Sequence, residues 1–225
     1  MPKPYFENLP DFEYVNRTDD GKRISDYTTV KNLFKRGKLR EDIFQNTTFF
    51  EKYQIIGDDR PDNVAEKVYG DSSLDWVVLL SNNIINIQEE WPLSQAGWDT
   101  YLLEKYGSDY DTLYNGVHHY ESNEIKNSQD VVIFPAGIQV GVAQSVSYWD
   151  QGSAKQVTVN PISKPVTNYE YENNLNEEKR GIYLLKSMYL NIVFDDTEKM
   201  MRYKKGSTQY VSKSLKRAEN IRLYE

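Results

Sequence analysis

Few side chains in this sequence could carry chemistry, and their spacing narrows the choice further. The 225 residues include no cysteine and two histidines, which excludes disulfides, thiolate nucleophiles, zinc fingers and cysteine-bound iron–sulfur centres together. The histidines, His118 and His119, are adjacent in GVHHYES, which reads as a strand. Neighbouring strand residues point to opposite faces, so the two imidazoles are expected not to share one metal. No G-x-S-x-G elbow accompanies them, and no nucleophile is assigned. The 34 acidic residues offer two adjacent pairs, Asp58-Asp59 and Asp195-Asp196. Paired carboxylates can hydrolyse glycosides or hold a divalent cation. Here the first pair reads as helix caps ahead of Pro61, and the second as the solvated face of a late helix. GIQVG at 137–141 lacks the Lys and Ser/Thr of a P-loop and the third Gly of a dinucleotide fingerprint. The expectation is therefore no enzyme, no cofactor and no metal.

Composition points toward contact between proteins. There are 18 Tyr, 8 Phe and 4 Trp, side chains that join large apolar area to a polar handle and suit half-wet interfaces. Trp91, Trp98 and Trp149 could stack on sugars but read first as core or interface anchors. A net charge of −7 argues against sequence-independent binding of nucleic acid. The longest aliphatic or aromatic run, residues 76–80, falls far short of the roughly 20 residues a membrane helix needs, and the first seventeen residues hold no apolar signal core. Between Arg202 and Glu225, seven Lys and Arg side chains face two Glu, a basic tail on an acidic body that could dock on an acidic neighbour.

The elements that must position these residues read as α+β. Residues 1–46, with Pro2, Pro4 and Pro10, are expected as an extended N-terminal arm that includes a helix or strand near Tyr27 to Phe34. FFEKYQII at 49–56 reads as a strand ended by Gly57. Pro61 suits a first helical turn, Val64, Ala65 and Val68 form an apolar stripe, and Gly70 suits the left-handed position that ends a helix. Ser72 and Asp75 are spaced as a capping box for a second helix that stops at Asn82-Asn83. A return strand is expected at 84–87. WPLS reads as a junction, and Ser94 caps a third helix that ends at Gly107. Residues 108–177, which include NYEYENNLNEE, read as irregular and β-rich. GIYLLK reads as a strand, followed by a helix with Leu190, Val193, Phe194, Thr197 and Met201 inward. The segments are thus 1–46 (arm), 47–93 (module), 94–107 (helix), 108–177 (β-rich region), 178–206 (strand-helix) and 207–225 (basic tail).

Residues 53–83, YQIIGDDRPDNVAEKVYGDSSLDWVVLLSNN, resemble a LysM-type β-α-α-β module, with Asp59, Val64, Ala65, Tyr69, Gly70, Leu80 and Asn82 in matching places. The longer run from DDRPD to LLEKYG is more specific: its R-P-D, Y-G-D, W-V-x-L-x-x-N, W-P-L-S and K-Y-G are similar to the LysM-like baseplate wedge protein of contractile-tailed, T-even-type bacteriophages. PYFENLP and residues 179–203 also look family-like. The resemblance implies a virion structural protein of the tail baseplate, assembled in the host cytoplasm, that joins neighbouring wedge subunits without catalysis. The alternative it leaves open is a LysM module that binds the N-acetylglucosamine chains of peptidoglycan. In either case the loops at the ends of the module would make the contact, and the candidate partner-binding residues are Asp58, Arg60, Pro61, Asn82, Asn83, Trp91, Pro92 and Arg217.

Overall fold

The N-terminal segment, expected as an extended arm, holds a β-hairpin. After one helical turn, α1 (Tyr5–Asn8), strands β1 (Asp11–Arg17) and β2 (Ile24–Lys31) pair antiparallel. Asp11 lies directly opposite Lys31, and their side chains form an ion pair at 2.8 Å, the cross-strand arrangement that favours pairing. This computed structural model describes residues 4–17, 24–206 and 209–217. The chain divides into two units: the first runs to Trp91 and resumes at Arg180, and the second is the stretch Pro92–Lys179 between them.

In the first unit a turn, α2 (Glu41–Phe44), buries Ile43, and β3 (Phe50–Gln54) leads through Ile55 to Gly57. Helix α3 (Pro61–Tyr69) follows, with Val64 and Ala65 fully buried. Asp58 and Asp59 do not cap it. A residue before proline is pushed to extended backbone, so Arg60, at φ −87° and ψ 164°, is the cap residue, without a side-chain capping bond. Asp59 instead accepts from Lys67 Nζ at 2.5 Å. Gly70 ends α3 at φ 74°. The next cap is Asp71, which accepts the Ser73 N–H at 2.9 Å, while the Asp75 carboxylate takes the adjacent Trp76 N–H at 2.7 Å; the expected Ser72/Asp75 box does not form. Helix α4 (Asp75–Ser81) buries Trp76, Val77, Val78 and Leu80.

The return strand expected at 84–87 is absent. Asn83 adopts φ 54°, and α5 (Ile87–Glu90) begins under the Asn86 cap, with Glu90 Oε2 accepting the N–H groups of Ile85 and Asn86 at 2.6 and 2.7 Å. Backbone donors satisfied locally in this way have no need of a ladder.

The second unit starts with α6 (Gln95–Tyr106), capped by Ser94 and burying Trp98 and Leu102. It continues through α7 (Tyr110–Tyr114), β4 (Val117–Ser122), β5 (Ile125–Lys126), β6 (Val132–Phe134), β7 (Val146–Asp150), β8 (Lys155–Val159) and β9 (Ser163–Thr167). These strands pair as β4–β9, β5–β6 and β7–β8. NYEYENNLNEE, expected as irregular, is α8 (Asn168–Glu178), opened by a reciprocal capping box between Thr167 and Glu170.

Back in the first unit, β10 (Gly181–Leu185) pairs antiparallel with β3 from Gly181↔Gln54 to Leu185↔Phe50. This is the closing strand of the β-α-α-β arrangement, supplied from beyond the second unit. Helix α9 (Leu190–Met201) turns Val193, Thr197 and Met201 inward. Asp196, expected on its solvated face, is only 16% exposed and pairs with Arg40 at 3.3 Å. The core joins Phe50, Val64, Val77, Leu184 and Val193. Strands β11 (Tyr210–Ser212) and β12 (Leu215–Arg217) form a hairpin where a tail was expected, and β12 lies parallel to β1. The rest of that basic segment, residues 207–208 and 218–225, lies outside the described residues.

Candidate interaction surface

The two histidines lie at the start of β4. A bulge in β4 leaves Val117 opposite Thr167 and His119 opposite Val166, so the two histidines do not alternate as strand geometry predicts. Their Nδ1 atoms lie 2.9 Å apart, His119 Nε2 meets Glu121 Oε1 at 3.1 Å, and the His118 ring stacks on Tyr171 with centroids at 3.7 Å. An extra residue in one strand turns successive side chains the same way. Among the described residues no three His, Asp or Glu side chains are grouped to hold a metal ion.

Two carboxylates in the second unit are buried. Glu172 is 2% exposed and accepts from Lys105 Nζ at 2.6 Å, the Tyr101 hydroxyl at 2.8 Å and the Tyr106 hydroxyl at 3.0 Å. Burial pushes its carboxyl up, but the bonds from Lys105, Tyr101 and Tyr106 outweigh that and leave it below the ordinary glutamate range. Asp150 accepts from the hydroxyls of Ser153 and Ser128 at 2.6 and 2.7 Å, and from their N–H groups at 3.1 and 3.3 Å. Those donors hold its carboxyl down at about 2. Both groups tie elements together: Glu172 fastens α8 to α6, and Asp150 fastens the 127–131 turn to the β7–β8 hairpin.

The eight residues expected to face a partner are dispersed, and most serve the fold. Pro61, Trp91 and Pro92 are buried, and the Trp91 indole N–H donates to the Asp59 carbonyl at 3.0 Å. Asn82 is spent on the backbone of Tyr183. Arg217 bonds Glu13, its register partner across the parallel pair, and its guanidinium lies 5.0 Å from the centre of the Tyr27 ring. Asp58 and Arg60 are exposed, with Arg60 paired to Asp62 at 3.3 Å, and Asn83 meets Arg36 at 3.4 Å. Of the three tryptophans weighed as platforms, Trp91 and Trp98 are core, while Trp149 on β7 is 64% exposed.

A groove of about 410 Å³ opens on the first unit. It is lined by Tyr5, Phe6 and Leu9, by Trp76, Leu79, Leu80, Ile84 and Ile85 from α4 and the turn after it, and by Leu33, Lys35 and Arg36, which follow β2. Phe6, Leu33 and Ile85 are 64%, 67% and 68% exposed, an apolar concentration that marks interaction sites on protein surfaces. The buried Trp76 indole N–H finds no acceptor among the described residues. Lys35 Nζ donates to the carbonyls of Met200, Met201 and Arg202 at 3.0, 3.1 and 3.0 Å, capping the end of α9 where cations are favoured. Sequence reasoning did not single out these residues; the one local signal was LFKR at 33–36, apolar side chains beside charge with no helical or strand period.

The apolar groove is a surface suited to contact with another protein, and the comparison with known families gives the chain a place. The family model described as base plate wedge protein 53 matches residues 6–202. The chain belongs to that family, and is a structural component of a phage tail baseplate. A search of curated proteins finds no match.

Proposed function

We propose that this chain joins neighbouring wedge subunits of a contractile phage tail through protein contacts, is assembled into the baseplate in the host cytoplasm, and catalyses nothing. The family match over residues 6–202 carries the reading, and the groove with its exposed Phe6, Leu33 and Ile85 supplies a surface for it. Within it the β-α-α-β unit of β3, α3, α4 and β10 serves as a LysM-like contact module whose closing strand follows an inserted unit.

Protein is favoured over glycan as the ligand by what the module's end loops do. Pro61 and Trp91 are buried and Asn82 is bonded to Tyr183, which leaves little of the loop chemistry free to bind a sugar. The test is mass spectrometry of purified tails together with co-sedimentation of the purified chain with wedge subunits. Presence in tails and stable association with at least one subunit is the expected result. Pull-down on peptidoglycan that N-acetylglucosamine competes away, with the chain missing from tails, would overturn it.

A further inference from the structure

The groove's lining joins large apolar side chains to two cations, and that pairing narrows its occupant. Among the described residues no acidic side chain lines it, and the two charged lining residues, Lys35 and Arg36, are both cations. The chain as a whole carries a net charge of −7, so this local positive charge runs against the balance of the sequence. Lys35 is held in place by three carbonyls, which fix its position without cancelling its charge. Lys204 and Lys216 are close enough to add to the same field, and they, after burial, lower the Lys35 pKa. Glu90 is the nearby acid that senses Arg36, and its carboxylate is already engaged by the N–H groups of Asn86 and Ile85.

From this charge complementarity, and resting on the proposed function above, we infer that the groove seats an acidic segment of another baseplate protein, anchored by two or more bulky apolar side chains. The apolar anchors would cover Phe6, Leu33 and Ile85, the large side chains left exposed here, as buried anchors do at the centre of protein interfaces. The acidic side chains would face Lys35 and Arg36, where charge governs the rate and choice of partner more than affinity. A second copy of this chain is disfavoured by like net charge, and a basic segment by these two cations.

The test uses the full chain in assembled tails. A photo-crosslinking residue placed at Ile85, which is largely exposed, should couple to a partner segment with net negative charge and at least two large apolar residues. The double variant Leu33→Asp, Ile85→Asp should keep the thermal midpoint and circular dichroism of the parent, because both side chains stand in solvent, yet be incorporated into tails at least tenfold less. Arg36→Glu should lower incorporation as well, and more so at low salt. Coupling to a basic segment or to a second copy overturns the inference, as does incorporation of a folded double variant at the parent level. That last result leaves the proposed function standing. Absence of the unmodified chain from tails overturns both.

Discussion

Asn82 pairs with the backbone of Tyr183 as a neighbouring strand would: its Oδ1 accepts the Tyr183 N–H at 2.8 Å and its Nδ2 donates to the Tyr183 carbonyl at 2.9 Å. The amide side chain at the end of α4 thus occupies the edge of β10 that β3 does not use, and it ties the helix pair to a strand 101 residues away. With a third bond from Asn82 Nδ2 to the Val78 carbonyl at 2.9 Å, a net value of about 0.5–1.5 kcal/mol per hydrogen bond predicts that Asn82→Ala destabilises the first unit by roughly 1.5–4.5 kcal/mol. Urea denaturation measures it, and hydrogen exchange at Tyr183 should accelerate in step. An unchanged midpoint would mean that water replaces the amide at no cost.

Gly70 allows a cleaner backbone experiment. Its φ is 74°, and a Cβ built there meets nothing within 4 Å, so a substitution pays for conformation and not for collision. Gly70→Val should cost upward of about 1–2 kcal/mol, the penalty of left-handed backbone for a residue with a side chain, and Gly70→Asn distinctly less, since Asn tolerates that region. Equal losses for the two variants in thermal denaturation would contradict the assignment of the cost to φ.

How much could be read in advance follows from where each element's information lies. Helices α3 and α6 were legible because their signals are local: Pro61 and Gly70 bracket the first, Ser94 and Gly107 the second. The partner of β3 was not, because pairing is decided by contacts far along the chain, and GIYLL shows itself as a strand without naming its neighbour. Helix α8 was missed since its buried residues are Glu172 and Asn176, polar side chains that carry no apolar stripe. T-x-x-E at Thr167 to Glu170 was the signal available. The histidine bulge adds one residue to β4, which alternation cannot reveal. Of the expected contact residues, Pro61, Trp91 and Asn82 have strong local roles in the fold, while the groove gathers Phe6, Leu33 and Ile85 from separate segments and leaves no compact motif.

The second unit should lose stability in acid from two buried carboxylates. Both have folded pKa values below their unfolded ones, Glu172 in direction and Asp150 at about 2. Depressed carboxylates stabilise fully above the unfolded range, near 4, and that stabilisation disappears as pH falls through the folded value. Acid titration followed by fluorescence and hydrogen exchange in α6, α8 and the β7–β8 hairpin should therefore show loosening between about pH 4 and pH 2. Glu172→Gln should remove part of that dependence. Glu172→Ala, which removes the acceptor shared by Tyr101, Lys105 and Tyr106, should destabilise this unit by roughly 1–3 kcal/mol even at pH 7, Lys105 being half-exposed and able to rehydrate. A pH profile identical in parent and Glu172→Gln would refute the assignment.

The two residues of the first unit that flank the inserted one, Trp91 and Arg180, are both held by one turn of that same first unit. Trp91 donates its indole N–H to the Asp59 carbonyl at 3.0 Å, Arg180 donates a guanidinium N–H to the Gly57 carbonyl at 2.7 Å, and the Arg180 carbonyl accepts the Ile55 N–H at 2.9 Å. Chain ends anchored so near each other need only a short connection, and about six residues reach roughly 20 Å when extended. Replacing residues 92–179 by a six-residue Gly-Ser linker should therefore leave a first unit that unfolds cooperatively, with the core of Phe50, Val77 and Leu184 intact and the β3–β10 amides protected from exchange. In that shortened chain Asn82→Ala should cost the same as in the full one, because Asn82, Tyr183 and their neighbours all belong to the retained unit. Loss of protection at β10 would show instead that the closing strand reaches its register only with the inserted unit in place.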